Sequence, residues 1–342
     1  MSARPAEWAA MRERGNAFWS RLGLFLVQRL GWRFGRVLLL PITAWFLLSS
    51  PGARAASREY LGLALGRPAR LTDIARHIHA FACSILDAPF FLARRTENFT
   101  VQVTGLEHLE KLAAEGRGCV LLGGHLGSFE VLRHVGQGSP VPVRPLMYRR
   151  NAGVMTTLLE RLDPALARAV IPLGEPDSML QAREAIERGE IIGILADRAA
   201  AGDRSVVVPF LGRDAAFPAG PFIVAAMLGA PVLGFRGVCT GPRRYEVRFE
   251  PFAERITLRR EHRAEDLREV ALHYARWLEQ GCRAHPCQWF NFFPFWKASL
   301  HAADTEPARA PPSATGPDAP GAGPGSELGG ALHARPVVQQ PR

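Results

Sequence analysis

Gly118-Cys-Val-Leu-Leu-Gly-Gly-His125-Leu-Gly-Ser-Phe-Glu130-Val-Leu-Arg133 runs from an apolar tract through two glycines to a histidine and then a carboxylate. Cys119–Leu122 shows no polar alternation, the pattern of a strand buried on both faces. Ile191–Ala196 is a second tract of this kind. Around these two, the chain alternates. Strands are expected at Phe99–Val103, Val141–Tyr148, Val170–Leu173, Ser205–Phe210, Pro231–Val238 and Tyr245–Phe249, and helices at Leu106–Ala114, from about Ser128, around Val154–Leu162, and at Asp177–Arg188, Pro221–Met227 and Ala264–Glu279. Short connections between such elements imply an α/β fold, a sheet covered by helices on both faces. Residues 52–95 read as helical, with Ile74, His77, Ile78, Phe81 and Ile85 at helical spacing, and join the front of the chain to this body.

The charge lies mostly outside the body. Residues 1–70 hold 11 Arg and 3 Glu, a net +8, while residues 71–301 hold 28 basic and 25 acidic side chains and residues 302–342 hold 3 and 4. A nearly balanced body with no basic stripe argues against a nucleic-acid binder. From Phe18 to Ser50, Arg21, Arg29, Arg33 and Arg36 are set among Trp and Phe, and the apolar run Val37–Leu48 contains Pro41. That run is shorter than the roughly 20 residues a spanning helix needs. An interfacial helix or a membrane-embedded hairpin is expected, with arginines on anionic headgroups; a helical cap buried on the protein is the alternative. No signal peptide is evident, because the apolar run begins late and lacks a small-residue cleavage site. The chain thus divides into an apolar helical membrane segment (1–50), a body (51–300) and a Pro/Gly/Ala-rich tail (301–342) expected to be disordered. The five cysteines are few and odd in number, and they read as reduced residues. Cys282, His285 and Cys287 lack a fourth ligand for zinc.

Ligands of open α/β sheets bind at the carboxyl ends of strands, which is where His125 falls. Gly127 lets a substrate chain approach closely. Ser128 reads as the cap of the following helix. Glu130, in its first turn, is expected to reach back to one imidazole nitrogen, fixing the tautomer and raising the basicity of the other. Arg133, one turn on, would meet a phosphate or pair with Glu130. Asp197 and Arg198 end the second buried strand, an address for substrate contact or for a structural ion pair. No Gly-x-Ser-x-Gly elbow is present, so a serine acyl-enzyme has no candidate. Oxyanion donors are expected from the glycine turn or a nearby Arg. His77 and His79 read as structural, and Arg259, Arg260 and Arg263 among Glu261, Glu265 and Asp266 read as a solvated helix face.

His125-x4-Glu130 within its glycine-flanked string resembles the His-x4-Asp/Glu signature of the lysophospholipid acyltransferase superfamily, in the Glu form of the bacterial lipid A late acyltransferases. Gly193-Ile-Leu-Ala-Asp197-Arg198, Val208-Pro-Phe-Leu-Gly212-Arg, Phe217-Pro-Ala-Gly220-Pro221, Gly229-Ala-Pro-Val-Leu and Gln288-Trp-Phe-Asn-Phe-Phe-Pro-Phe-Trp296 are similar to later blocks of that family, in order. The resemblance covers roughly residues 10–300. Arg198 departs from the Gln common there, and with Ala56-Ser-Arg-Glu-Tyr60 it suggests a side branch. The resemblance implies a glycerolphosphate-acyltransferase-like fold, a central mixed sheet flanked by helices, at the cytoplasmic face of the inner membrane. It implies transfer of a fatty acyl group from acyl carrier protein or a CoA thioester to a lipid acceptor, by direct attack on the thioester, without metal or redox cofactor. It assigns His125 as base and Glu130 as its orienting partner, puts Arg149 and Asn151 on the substrate surface, and has Phe210, Gly212 and Gly220 shape the acyl groove. A catalytically silent membrane-binding relative is the rival reading, and the intact His125 and Glu130 argue against it.

Overall fold

The structure is a computed structural model that describes residues 17–135, 141–147, 162–199 and 203–296, with the side chains of residues 17–31, 133 and 134 excepted. The helix expected around Val154–Leu162 falls, but for Leu162, outside these residues, as do Arg149, Asn151, the Arg133 side chain and the tail.

Three helices lead the chain: α1 (Ala17–Ser49), α2 (Pro51–Leu65) and α3 (Leu71–Leu92). They are followed by β1 (Thr100–Thr104), α4 (Leu106–Ala114), β2 (Cys119–Gly123), α5 (Leu132–Val135), β3 (Val143–Met147), α6 (Pro164–Ala169), β4 (Ile171–Pro172), α7 (Ser178–Glu187) and β5 (Ile191–Leu195). A hairpin of β6 (Ser205–Phe210) and β7 (Arg213–Pro218) precedes α8 (Gly220–Leu228), β8 (Val232–Gly241), β9 (Arg244–Ala253) and α9 (Arg263–Ala284).

Seven strands form one sheet in the order β1-β9-β8-β2-β5-β3-β4. Only the β8–β9 pair is antiparallel, so the sheet is mixed and mostly parallel. The continuous apolarity of β2 follows from its central position. Val120 and Leu122 enter one core with Ile192, Ile194 and α9 residues Val270, Tyr274 and Leu278, while Cys119 and Leu121 enter the opposite core with Phe91, Leu112 and Phe235. Both faces are covered, so neither can carry polar side chains.

The hairpin turn explains Gly212. Leu211 and Gly212 both have positive φ (53° and 79°), the backbone that a two-residue turn between twisted strands requires. Strand β7 escapes the sequence reading because it opens on Arg213-Asp214 and lacks clear alternation. The expected solvated face near Arg259 is corrected too: Asp266 is fully buried in the first turn of α9 and accepts from the Arg259 backbone and guanidinium.

Helix α1 runs antiparallel along α3. Thr43 meets His79 at 3.1 Å, Leu39 packs with Cys83 and Leu86, and the Trp32 indole donates to Asp87 at 2.6 Å. The other oxygen of Asp87 takes the Tyr245 hydroxyl at 2.8 Å, which ties α1 through α3 to β9. No single helix among the described residues is long and apolar enough to cross a membrane. The bent pair Trp32–Ser49 and Pro51–Leu65, turning by 95°, has the length and composition together. Its second helix, however, buries Tyr60, Leu61 and Ala64 in the body.

Candidate active site

Strands β2 and β5 are adjacent and parallel, with Gly123 opposite Leu195. Two residues beyond that pair, the register brings His125 opposite Asp197. The Asp197 carboxylate accepts the His125 backbone N–H at Oδ2 (2.8 Å) and faces Nδ1 through Oδ1 at 2.7 Å. Trp289 Nε1 donates to the same Oδ2 at 2.8 Å. Asp197 is wholly buried, whereas the His125 side chain is 32% exposed. Burial alone would raise the Asp197 carboxyl, but the charge and hydrogen bonds of His125, with the charge of Arg198, hold it well below the ordinary carboxylate range. An ionised carboxylate can only accept, so Nδ1 carries the proton and Nε2 keeps its lone pair. His125 itself is lowered, first by desolvation and then by Arg198, against the opposing pull of Asp197 and Glu130.

The expected bond between Glu130 and the imidazole is therefore corrected. The carboxylate on Nδ1 belongs to Asp197, and Glu130 Oε2 takes the Ser128 hydroxyl at 2.8 Å. No helix starts at Ser128. Leu126 and Gly127 form isolated bridges to Trp289 and Gly237, and helix α5 begins only at Leu132. Ser128 is accordingly a donor to Glu130 and not a helix cap.

Gly127 is held against the neighbouring strand. Its φ is +81°, and a Cβ there would lie 2.0 Å from the Gly237 carbonyl oxygen. The Gly127 and Ser128 N–H groups donate to the Gln288 and Gly237 carbonyls, and His125 N–H is taken by Asp197. Those three backbone donors are thus engaged within the protein. Arg198 is the cation whose charge acts on both His125 and Asp197; its Nη2 donates to the Phe290 carbonyl at 2.5 Å and its guanidinium lies 5.7 Å from the Phe293 ring centre.

The closing aromatic block supplies what the sequence reading missed. Phe290 N–H donates to the His125 carbonyl at 2.9 Å, and the Gln288 side-chain amide bonds both backbone groups of Cys239 on β8. His77 on α3 faces the Trp289 carbonyl through Nε2 and the Ser57 hydroxyl through Nδ1. Burial pushes its pKa down to about 4. The available signal was a tryptophan between Gln288 and Phe290 in a compact apolar block, whose N–H must find a buried acceptor. Phe210 is also corrected: it is fully buried among Trp289, Phe217 and Trp296, and so supports the site from behind without lining a groove. Gly212 lies in the exposed hairpin turn and Gly220 opens α8, and no hydrogen bond among the described residues joins either to His125.

The arrangement is a neutral imidazole with an oriented lone pair, a buried carboxylate behind it and a guanidinium beside it, suited to removing a proton from a hydroxyl next to a developing anion. No curated protein matches the chain. The profile of the bacterial lipid A biosynthesis acyltransferases matches residues 74–298, about two thirds of the chain, with His125, Glu130, Asp197, Arg198 and Trp289 among them, so the chain belongs to that family and is an acyltransferase.

Proposed function

We propose that the protein moves a fatty acyl group from a thioester donor, acyl carrier protein or coenzyme A, to a hydroxyl or amine of a lipid or lipid-linked acceptor at the cytoplasmic face of the inner membrane. The observation that carries this reading is the His125–Asp197 pair at the ends of two adjacent parallel strands. His125 Nε2 takes the acceptor proton as the acceptor oxygen or nitrogen bonds to the thioester carbon. Collapse of the tetrahedral adduct breaks the C–S bond, and the departing thiolate takes the proton back from the imidazolium. Asp197 orients the ring and balances its transient charge, and Glu130 adds to that balance through its nearby charge. Arg198 faces the oxyanion or a substrate phosphate. The reaction as written needs neither metal nor redox cofactor.

Membrane association rests on α1, whose Val37, Leu40, Trp45 and Leu48 are 66%, 60%, 56% and 78% exposed. So many bare apolar side chains on one helix call for an apolar partner. The test is transfer of labelled acyl groups in membranes supplied with acyl carrier protein or coenzyme A thioesters. His125→Ala is expected to lose transfer by at least about 10³-fold. Transfer at the wild-type rate would overturn the mechanism.

A further inference from the structure

Helix α1 is not the only element with an unpartnered apolar side. On α3, Ile85 is 52% and Phe81 36% exposed. Phe81 is also part of the site rim: its ring lies 5.2 Å from those of both Phe290 and Phe292, and Phe292 stacks on His77 at 4.5 Å. Phe290 in turn bonds the His125 carbonyl. A string of aromatic side chains therefore leads from the exposed flank of α3 to the backbone of the base. Because α1 packs antiparallel along α3, helical spacing turns Ile42, Trp45 and Phe46 toward the flank that holds Ile85. Exposed cations stand on the same three leading helices and the turn between the last two, namely Arg33, Arg58, Arg67, Arg70 and Arg76, while the acidic Asp73 is buried and engaged with Arg67.

We infer that the bilayer meets the enzyme through the Phe81–Ile85 flank of α3 as well as through α1, so that the membrane interface lies against the Phe290–Phe292 rim and a lipid acceptor reaches His125 sideways from the leaflet. This rests on the membrane association proposed above. The occupant is an anionic lipid surface: the apolar flank suits acyl chains, and the net +8 of residues 1–70 suits phosphate headgroups.

Sedimentation of the full chain with phosphatidylglycerol/phosphatidylethanolamine vesicles tests the inference, with melting temperature read for each variant. Phe81→Asp/Ile85→Asp is expected to weaken vesicle binding by at least about tenfold. Leu180→Asp/Met227→Asp, which changes exposed apolar side chains on α7 and α8, is expected to bind as wild type does. Should the Phe81 change disturb the aromatic rim and lower the melting temperature, Ile85→Asp alone decides the matter, with a smaller loss expected. Undiminished binding by folded α3 variants, with loss in Trp45→Asp/Leu48→Asp, would overturn the inference and leave α1 as the anchor. A wild-type chain that ignores the vesicles would overturn the membrane reading itself.

Discussion

Asp197→Asn separates the role of the carboxylate from its place in the core. Oδ2 receives two donors, His125 N–H and Trp289 Nε1–H, and Oδ1 faces one nitrogen, His125 Nδ1. An asparagine keeps its oxygen toward the two donors, since the opposite orientation would leave both unpaired at about 1–3 kcal/mol each. Its NH2 then points at Nδ1, which must accept, and the ring proton moves to Nε2. All three hydrogen bonds survive without their ionic character, so the fold loses only about 1–2 kcal/mol. The base, however, is in the wrong tautomer. Restoring the working one sets N–H against N–H, and at 1.36 kcal/mol per tenfold a penalty of about 4–5 kcal/mol gives a rate loss of about 10³ to 10⁴. Acyl transfer under saturating donor, with melting temperature measured in parallel, is the assay. Since Asp197 also raises the His125 pKa, the residual activity should have its acid limb at lower pH. A folded Asp197→Asn enzyme within about threefold of wild type would refute the assignment.

Glu130→Gln is expected to cost about tenfold, because the amide oxygen still accepts from Ser128 and only the charge near His125 is lost; a larger loss than in Asp197→Asn would return the orienting role to Glu130. Gly127→Ala should destabilise by at least about 3 kcal/mol in urea unfolding, because a Cβ would collide with backbone at positive φ, whereas Gly212→Ala, also at positive φ but in open space, should cost about 1 kcal/mol. His77, at about 4 in the fold against 6.5 unfolded, is neutral in the native state over a range where the unfolded chain takes up a proton. Its stabilisation is whole above pH 6.5 and is lost as pH falls toward 4, amounting to about 3 kcal/mol. Denaturant unfolding at pH 7 and pH 4.5 should show that slope, and His77→Gln should flatten it.

What was legible in the sequence follows from what sets each feature. Strands β2 and β5 are buried on both faces, so composition alone announces them, and α4 and β6 end where the periodicity says they end. Position at the strand ends made His125 and Asp197 candidates together. Their pairing was hidden because it depends on the register Gly123 to Leu195, a fact about two distant segments. Glu130 misled for the opposite reason: local spacing suggested a helix, and bridges from Leu126 and Gly127 to Trp289 and Gly237 keep that stretch out of one. Trp289 carried no role in isolation, since an indole N–H declares its function only when its acceptor is known.

The Asp197 carboxylate gathers groups from residues 125, 197 and 289, a span covering nearly half the chain. During synthesis, β2 and β5 can pair before the aromatic block has been made, but Asp197 then lacks its indole partner and the His125 carbonyl lacks the Phe290 N–H. The His125–Asp197–Trp289 set of hydrogen bonds is thereby not completed until almost the whole body has emerged. With His125 in its proposed role, an active site would then require the C-terminal block, the last of these segments to be made.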